Sequence, residues 1–162
     1  MVSTARAVAE TVTDPELPML TLADLGVLRD VQETASGVVV TITPTYSGCP
    51  AMDAMRADLS SALHKAGYDS VDVRTVLAPA WTTDWITDSG RRKLAEAGIS
   101  PPGPARRSGP IPLTLTAPVS RVACPQCGSP DTSVLSEFSA TACKSLHRCR
   151  SCDEPFEHVK EI

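Results

Sequence analysis

The chain has 162 residues, 42% of them apolar, enough for one modest domain with a real core plus a small appendage. Its net charge of −4 and its two Tyr and two Phe supply neither the electrostatic drive nor the stacking surface for nucleic acid, and nothing favours an anionic membrane. No apolar run is long enough to span a bilayer, and the start Met1-Val-Ser-Thr-Ala-Arg lacks the features of a secretory signal, so a reducing cytoplasm is the expected location. Six cysteines in that setting point to metal or redox chemistry, not to structural disulfides.

Residues 5–13 read as a short helix with Ala5, Val8 and Val12 on one face, stopped by Asp14-Pro15. Asp14-Pro-Glu-Leu-Pro18 is then a rigid connection bearing two carboxylates, which on its own reads as helix punctuation. A first strand is expected at Val27–Val31, and Glu33 to Gly37 turns the chain into a second, 37–43. There Val38, Val40 and Ile42 face one way while Val39, Thr41 and Thr43 face the other.

The rest of the chain is organised around Thr43 to Met55, T-P-T-Y-S-G-C-P-A-M-D-A-M, a strand-to-helix turn carrying Cys49. Pro50 suits the first helical position, which would put Cys49 at or beside the N-cap, facing unpaired amides and the positive end of the helix dipole. That placement favours the thiolate, the form that attacks electrophiles and binds metals. A small cysteine filling a gap beside the turn satisfies the same sequence. Beyond it, Met52, Met55, Leu59, Leu63 and Ala66 recur at helical spacing as a core stripe, Gly67 stops the helix, and His64 falls on the solvated side. A third strand is expected at 71–77, followed by Pro79-Ala-Trp81 and Trp85. The two indoles would either cover the Cys49 loop or close the core. A second helix is expected at 89–97, ending at Gly98.

Residues 99–118 carry six of the fourteen prolines and the pair Arg106-Arg107, a composition that reads as a semi-rigid linker with solvated charge. The expected organisation is an α+β domain at 1–98 with a small three-stranded or larger mixed sheet packed with helices, the linker, and a β-rich module at 119–162. In that module Cys124-Pro-Gln-Cys127 and Cys149-Arg-Ser-Cys152 are separated by 21 residues, slightly beyond the usual gap. Two such knuckles can hold one Zn²⁺ tetrahedrally, at about 2.3 Å per sulfur. A module this small has little core, so ion binding would supply its folding energy. The spacing favours a structural four-Cys zinc ribbon over a redox C-x-x-C pair, while an iron–sulfur cluster uses the same ligands. Cys143 is left over, to replace a ligand, protect one or pack, and His147 and His158 are spare ligands that a complete four-Cys set does not need.

Asp14-Pro-Glu-Leu-Pro, Asp24-Leu-Gly-Val, the Gly48-Cys49-Pro50 turn and Pro79-Ala-Trp81 together resemble the small iron–sulfur assembly family that includes SufT. With Trp81-Thr-Thr-Asp-Trp85, Gly98-Ile-Ser-Pro-Pro, Thr141-Ala-Cys-Lys144, Glu154-Pro-Phe156 and the Cys ribbon, nearly the whole chain is similar to the PaaD (also PaaJ) family, accessory subunits encoded with the bacterial phenylacetyl-CoA epoxidase. The resemblance implies a maturation role, helping to install iron or an iron–sulfur cluster in the oxygenase or its reductase. It makes Cys49 the candidate functional thiol, a transient holder of iron or cluster, with Asp14, Glu16 and Thr43 as its neighbours. The tail Glu157-His-Val-Lys-Glu-Ile162 departs from the more aromatic ending of that family. Implied partners are the epoxidase subunits and other iron–sulfur assembly proteins; a homodimer is left open.

A scaffold subunit with no metal-transfer role is the competing expectation. A nucleic-acid-binding ribbon is disfavoured by charge, and a thiol oxidoreductase by the absence of C-x-x-C at a helix start. The sequence contains no nucleotide-binding glycine loop and no Glu-x-x-His di-iron pattern, so any oxygenase chemistry is expected from other chains.

Overall fold

A computed structural model describes residues 4–105 and 122–162. Most of the expected linker, 106–118 with Arg106 and Arg107, and residues 119–121 of the expected ribbon lie outside the described residues. The chain divides into two compact units, Met1–Lys93 and Leu94–Ile162.

The first unit is built on a three-stranded sheet of β1 (Leu28–Thr34), β2 (Gly37–Ile42) and β3 (Val71–Thr75), in the order β1-β2-β3. β1 and β2 form an antiparallel hairpin through Ala35-Ser36, and β3 lies parallel to β2, with Val40 opposite Val73. A parallel neighbour requires a crossover, which α2 (Met52–Lys65) supplies. The alternation expected in the central strand is present: Val38, Val40 and Ile42 are buried, while Val39 and Thr41 are half-buried. Met55, Leu59 and Leu63 form the buried stripe of α2, whereas Met52 is half-buried and Ala66 exposed. Gly67, at φ +99°, takes the left-handed turn that ends the helix.

The first helix, α1 (Ala5–Ala9), is shorter than the expected 5–13. Its regular ladder stops where Thr11 turns its hydroxyl back onto the Val8 carbonyl at 2.7 Å, a side-chain bond that competes with helix continuation. After β3, Val76 still donates to the Ile42 carbonyl at 2.9 Å, so pairing outlasts the regular strand. A 3₁₀ turn at Thr83–Trp85 leads to α3 (Asp88–Glu96), which runs across the division between the units. Trp81 donates its indole N–H to the Leu25 carbonyl at 2.8 Å, and the Arg29 guanidinium lies 3.6 Å from the Trp85 ring centre. Both indoles are thus held by the 25–29 segment, Trp81 buried and Trp85 half-buried.

The second unit is a four-stranded sheet of β4 (Ile99–Ser100), β5 (Thr132–Ser136), β6 (Lys144–Cys149) and β7 (Pro155–Val159), in the order β4-β7-β6-β5. β5, β6 and β7 are antiparallel neighbours, and β4 adds parallel to β7 with Ser100 opposite His158. Residues 99–100, which composition assigns to the start of the linker, are therefore a sheet strand. Ile99 is apolar and buried, and the backbone of β7 supplies the pairing that composition could not reveal.

Candidate metal centre

The four-Cys site is assembled from two turns of matching construction. Cys124 N–H donates to the Ser129 carbonyl at 3.0 Å, and Cys149 N–H donates to the Glu154 carbonyl at 2.9 Å, the same five-residue span in each knuckle. In each, the residue after the second cysteine is left-handed: Gly128 at φ +72° and Asp153 at φ +62°. Glycine adopts that conformation freely, and Asp is among the few other residues that tolerate it. The knuckles are joined by a 2.7 Å contact between the Ser129 and Ser151 hydroxyls. They rest on a small apolar seat formed by Val122 and Phe156 with the buried Cys124 and Cys149.

This construction brings Cys124, Cys127, Cys149 and Cys152 together, with all four sulfurs within 4.8 Å of one another. Cys124 and Cys152 are 3.8 Å apart and Cys127 and Cys149 3.6 Å. A tetrahedral ion with bonds of about 2.3 Å has sulfur–sulfur edges of about 3.8 Å, so the set fits a single ion. None of the six cysteines is in a disulfide. Burial pushes the Cys149 thiol up, but the Cys152 and Ser151 amides and the neighbouring sulfurs outweigh it and bring it to about 7. Cys152 receives a lowering bond from the Glu154 backbone, yet burial and the other sulfurs push it up to about 12. A divalent ion binds such a set by displacing thiol protons. The arrangement is a metal-binding site.

The spare groups do not join it. His147 is buried with Nε2 2.9 Å from the Ser145 hydroxyl and its ring stacked on Phe156. Cys143 sits 3.1 Å from the Thr141 hydroxyl, outside the four-sulfur group.

The Cys49 loop differs from its expected form. The N-cap of α2 is Ala51, with no side-chain cap bond, so Pro50 precedes the cap instead of opening the helix and Cys49 lies one residue further out. Two consecutive turns cause the offset: Cys49 N–H donates to the Tyr46 carbonyl at 3.2 Å, and the Cys49 carbonyl accepts from Met52 N–H at 3.4 Å. Cys49 is half-buried, neither walled into the core nor fully open. Thr43 enters the same loop with its N–H on the Val27 carbonyl at 2.9 Å, and its buried hydroxyl has no hydrogen-bond partner. Asp14 is on a different loop, where Oδ1 accepts the amides of Glu16 and Leu17 at 2.8 Å each. Its buried carboxylate thus organises the 14–17 turn, and Glu16 beside it is half-buried.

The sequence matches two known families in order: residues 3–75 match the iron-sulfur cluster assembly protein family, and residues 109–160 match the PaaD zinc beta ribbon domain. A putative 1,2-phenylacetyl-CoA epoxidase subunit of Escherichia coli (strain K12) is 44% identical over 156 residues, covering 96% of this chain and 90% of that protein. The chain belongs to the PaaD family. The first unit of this PaaD-family chain has its own relatives. An Fe-S protein maturation auxiliary factor of Porphyromonas gingivalis (strain ATCC BAA-308 / W83) is 33% identical over 86 residues, 52% of this chain and 81% of that protein. A crystal structure of a domain of unknown function, DUF59, from Bacillus anthracis has a TM-score of 0.51 and 27% identity, covering 56% of this chain and 87% of that one. The α+β assignment for the first unit follows from both the sheet and this neighbour. No helix among the described residues is long and apolar enough to cross a membrane.

Proposed function

We propose that this PaaD-family chain is an accessory subunit of a multicomponent phenylacetyl-CoA epoxidase, working in the cytoplasm on maturation of the complex instead of turning over its substrate. The observation that carries the reading is the joining of two parts in one chain: an iron–sulfur assembly region at 3–75 and a PaaD ribbon at 109–160. The 44% identity to a putative epoxidase subunit, spread over 96% of the chain, supports the same complex as its destination. In this reading the first unit handles iron or an iron–sulfur cluster as cargo, and the ribbon in the second unit docks on the oxygenase or its reductase.

Cys49 is the thiol that engages the cargo. Its half-buried position on a turn outside the helix cap supports transient ligation over permanent burial. Thr43 lines the root of that loop, while Asp14 and Glu16 act through the neighbouring turn. In the ribbon this reading places zinc: sulfur separations of 3.6 and 3.8 Å support one tetrahedral ion over a multi-iron cluster, which would put several atoms between the thiolates.

Replacing Cys49→Ser tests the reading. The variant is expected to fold, to keep its ribbon ion and to co-purify with the epoxidase, while iron occupancy of the epoxidase, measured by elemental analysis after anaerobic purification, falls several-fold. Normal occupancy with the variant would instead assign the chain a scaffold role, and deletion of 119–162 would then abolish co-purification without altering iron.

A further inference from the structure

One buried polar atom in the ribbon unit is left without a hydrogen bond, and its surroundings point to a ligand. His158, on β7, is 4% exposed, and its Nδ1 lies 3.2 Å from the Ser100 carbonyl. A carbonyl only accepts, so Nδ1 carries the hydrogen and Nε2 of the neutral ring presents a lone pair. That Nε2 is buried and makes no hydrogen bond, yet Glu161 Oε1 is 3.3 Å away. With the imidazole neutral, two acceptors therefore face each other; only protonation of His158 makes the contact an ion pair. The carboxylate is itself held in place, since Gly103 N–H donates to Oε1 at 3.0 Å. His147 packs edge-on against His158 at 5.4 Å between ring centres and fixes its plane.

Both groups line a cleft of roughly 370 Å³ within the second unit, whose other walls include Pro101, Pro102, Val122 and Pro125. Cys124 also borders it, but neither His158 nor Glu161 belongs to the four-sulfur group. Burial holds the His158 imidazole below its ordinary range in spite of the nearby carboxylate. Burial raises the Glu161 carboxyl, but backbone amides, that of Gly103 foremost, lead the groups that outweigh it and keep it below the usual carboxylate range. A neutral imidazole opposite an ionised carboxylate is the pair a transition-metal cation resolves.

We propose that His158 Nε2 and Glu161 Oε1 form a second, weaker divalent transition-metal site at the wall of this cleft, distinct from the four-Cys centre. The supporting bonds have the form such ligands take: the imidazole donates its other N–H to a backbone carbonyl, and the carboxylate is hydrogen-bonded in turn. With bonds of about 2.1 Å to each atom, the 3.3 Å separation corresponds to a ligand–metal–ligand angle of about 104°, near tetrahedral. Imidazole with carboxylate suits Zn²⁺ or Fe²⁺, water completes the coordination from the cleft, and two protein ligands make the site exchangeable. The Glu161 side chain is 26% exposed, which leaves it room to adjust on the cleft side. The site stands independently of the role given to Cys49.

The test uses the full chain with its four-Cys centre already saturated with zinc. Further zinc, followed calorimetrically, is expected to bind as one additional and weaker equivalent. That equivalent is lost in Glu161→Gln and in His158→Asn, the latter keeping a donor for the Ser100 carbonyl, while the four-Cys equivalent is retained in both. Should His158→Asn fail to fold, Glu161→Gln alone decides. Absence of the second equivalent in the native chain, or its survival in Glu161→Gln, overturns the proposal. Nitrogen NMR of His158 supplies an independent reading: Nε2 unprotonated at pH 7 and shifted by zinc is expected, whereas an imidazolium protonated on both nitrogens makes the pair a buried salt bridge and overturns it as well.

Discussion

Asp24 gathers more of the first unit than any sequence motif discloses. Its carboxylate accepts from Lys93 Nζ at 2.6 Å, Thr21 N–H at 3.2 Å and the Thr87 hydroxyl at 3.2 Å, and its carbonyl accepts Thr87 N–H at 2.9 Å. One residue thereby ties the 21–24 turn to the first turn of α3. Burial raises its pKa, but the Lys93 ammonium and the Thr21 amide outweigh that and set it below 3.8. A carboxyl with a depressed folded pKa contributes stability that is present above 3.8 and lost as pH falls through the folded value. Asp24→Asn is therefore expected to lose about 1–3 kcal/mol at pH 7, with the lower half favoured because the Lys93 side chain is 40% exposed. Urea midpoints should report the loss, and the gap from the native chain should narrow below pH 3.8. The Asp24-Leu-Gly motif is visible in the sequence, but its anchoring role is not, because Lys93 lies 69 positions away. At Asp14 the sequence reads helix punctuation, and the amides of Glu16 and Leu17 add which groups its carboxylate holds in that turn.

At the scale of elements, legibility tracks periodicity. α2 and β2 each carry enough repeats to declare their period and inward face, and the buried sets Met55, Leu59, Leu63 and Val38, Val40, Ile42 follow. Leu59 is fully buried at the middle of α2, so Leu59→Ala should cost about 2–5 kcal/mol in denaturant unfolding of the first unit, with metal stoichiometry at the four cysteines unchanged. Residue pattern places the start of α2 two residues early, because a proline compatible with the first helical position is also compatible with the turn before the cap. β4 is illegible for a different reason. Two residues bounded by Gly98 and Pro101 show no alternation, and their strand character is conferred by β7. The four-Cys centre is the most legible feature, since ligand identity and spacing are themselves the chemistry. Of the His158–Glu161 pair the sequence offers only His158 as a spare ligand, because what distinguishes the pair is a missing hydrogen bond that no residue pattern encodes.

For the whole molecule, the two units draw their stability from different sources. The first buries a row of aliphatic side chains from β2 and α2, whereas the second, among the described residues, seats its cysteines on the small cluster of Val122 and Phe156. Removing the ion with a strong chelator should therefore move the amide resonances of 122–162 to unfolded positions while those of Val38, Val40 and Ile42 persist, as hydrogen-exchange NMR would record. Persistence of β6 and β7 in the stripped protein would show that the sheet stands without metal.

The pairing of β4 with β7 joins Ser100 to His158, 58 positions along the chain. Closing a loop of that length costs about 3–4 kcal/mol of chain entropy, growing with the logarithm of its length. An ion that clamps Cys124 to Cys152, 28 positions apart, shortens that loop wherever it binds before the strands pair. Metal bound early would thus lower the entropic hurdle that β4 meets in reaching β7.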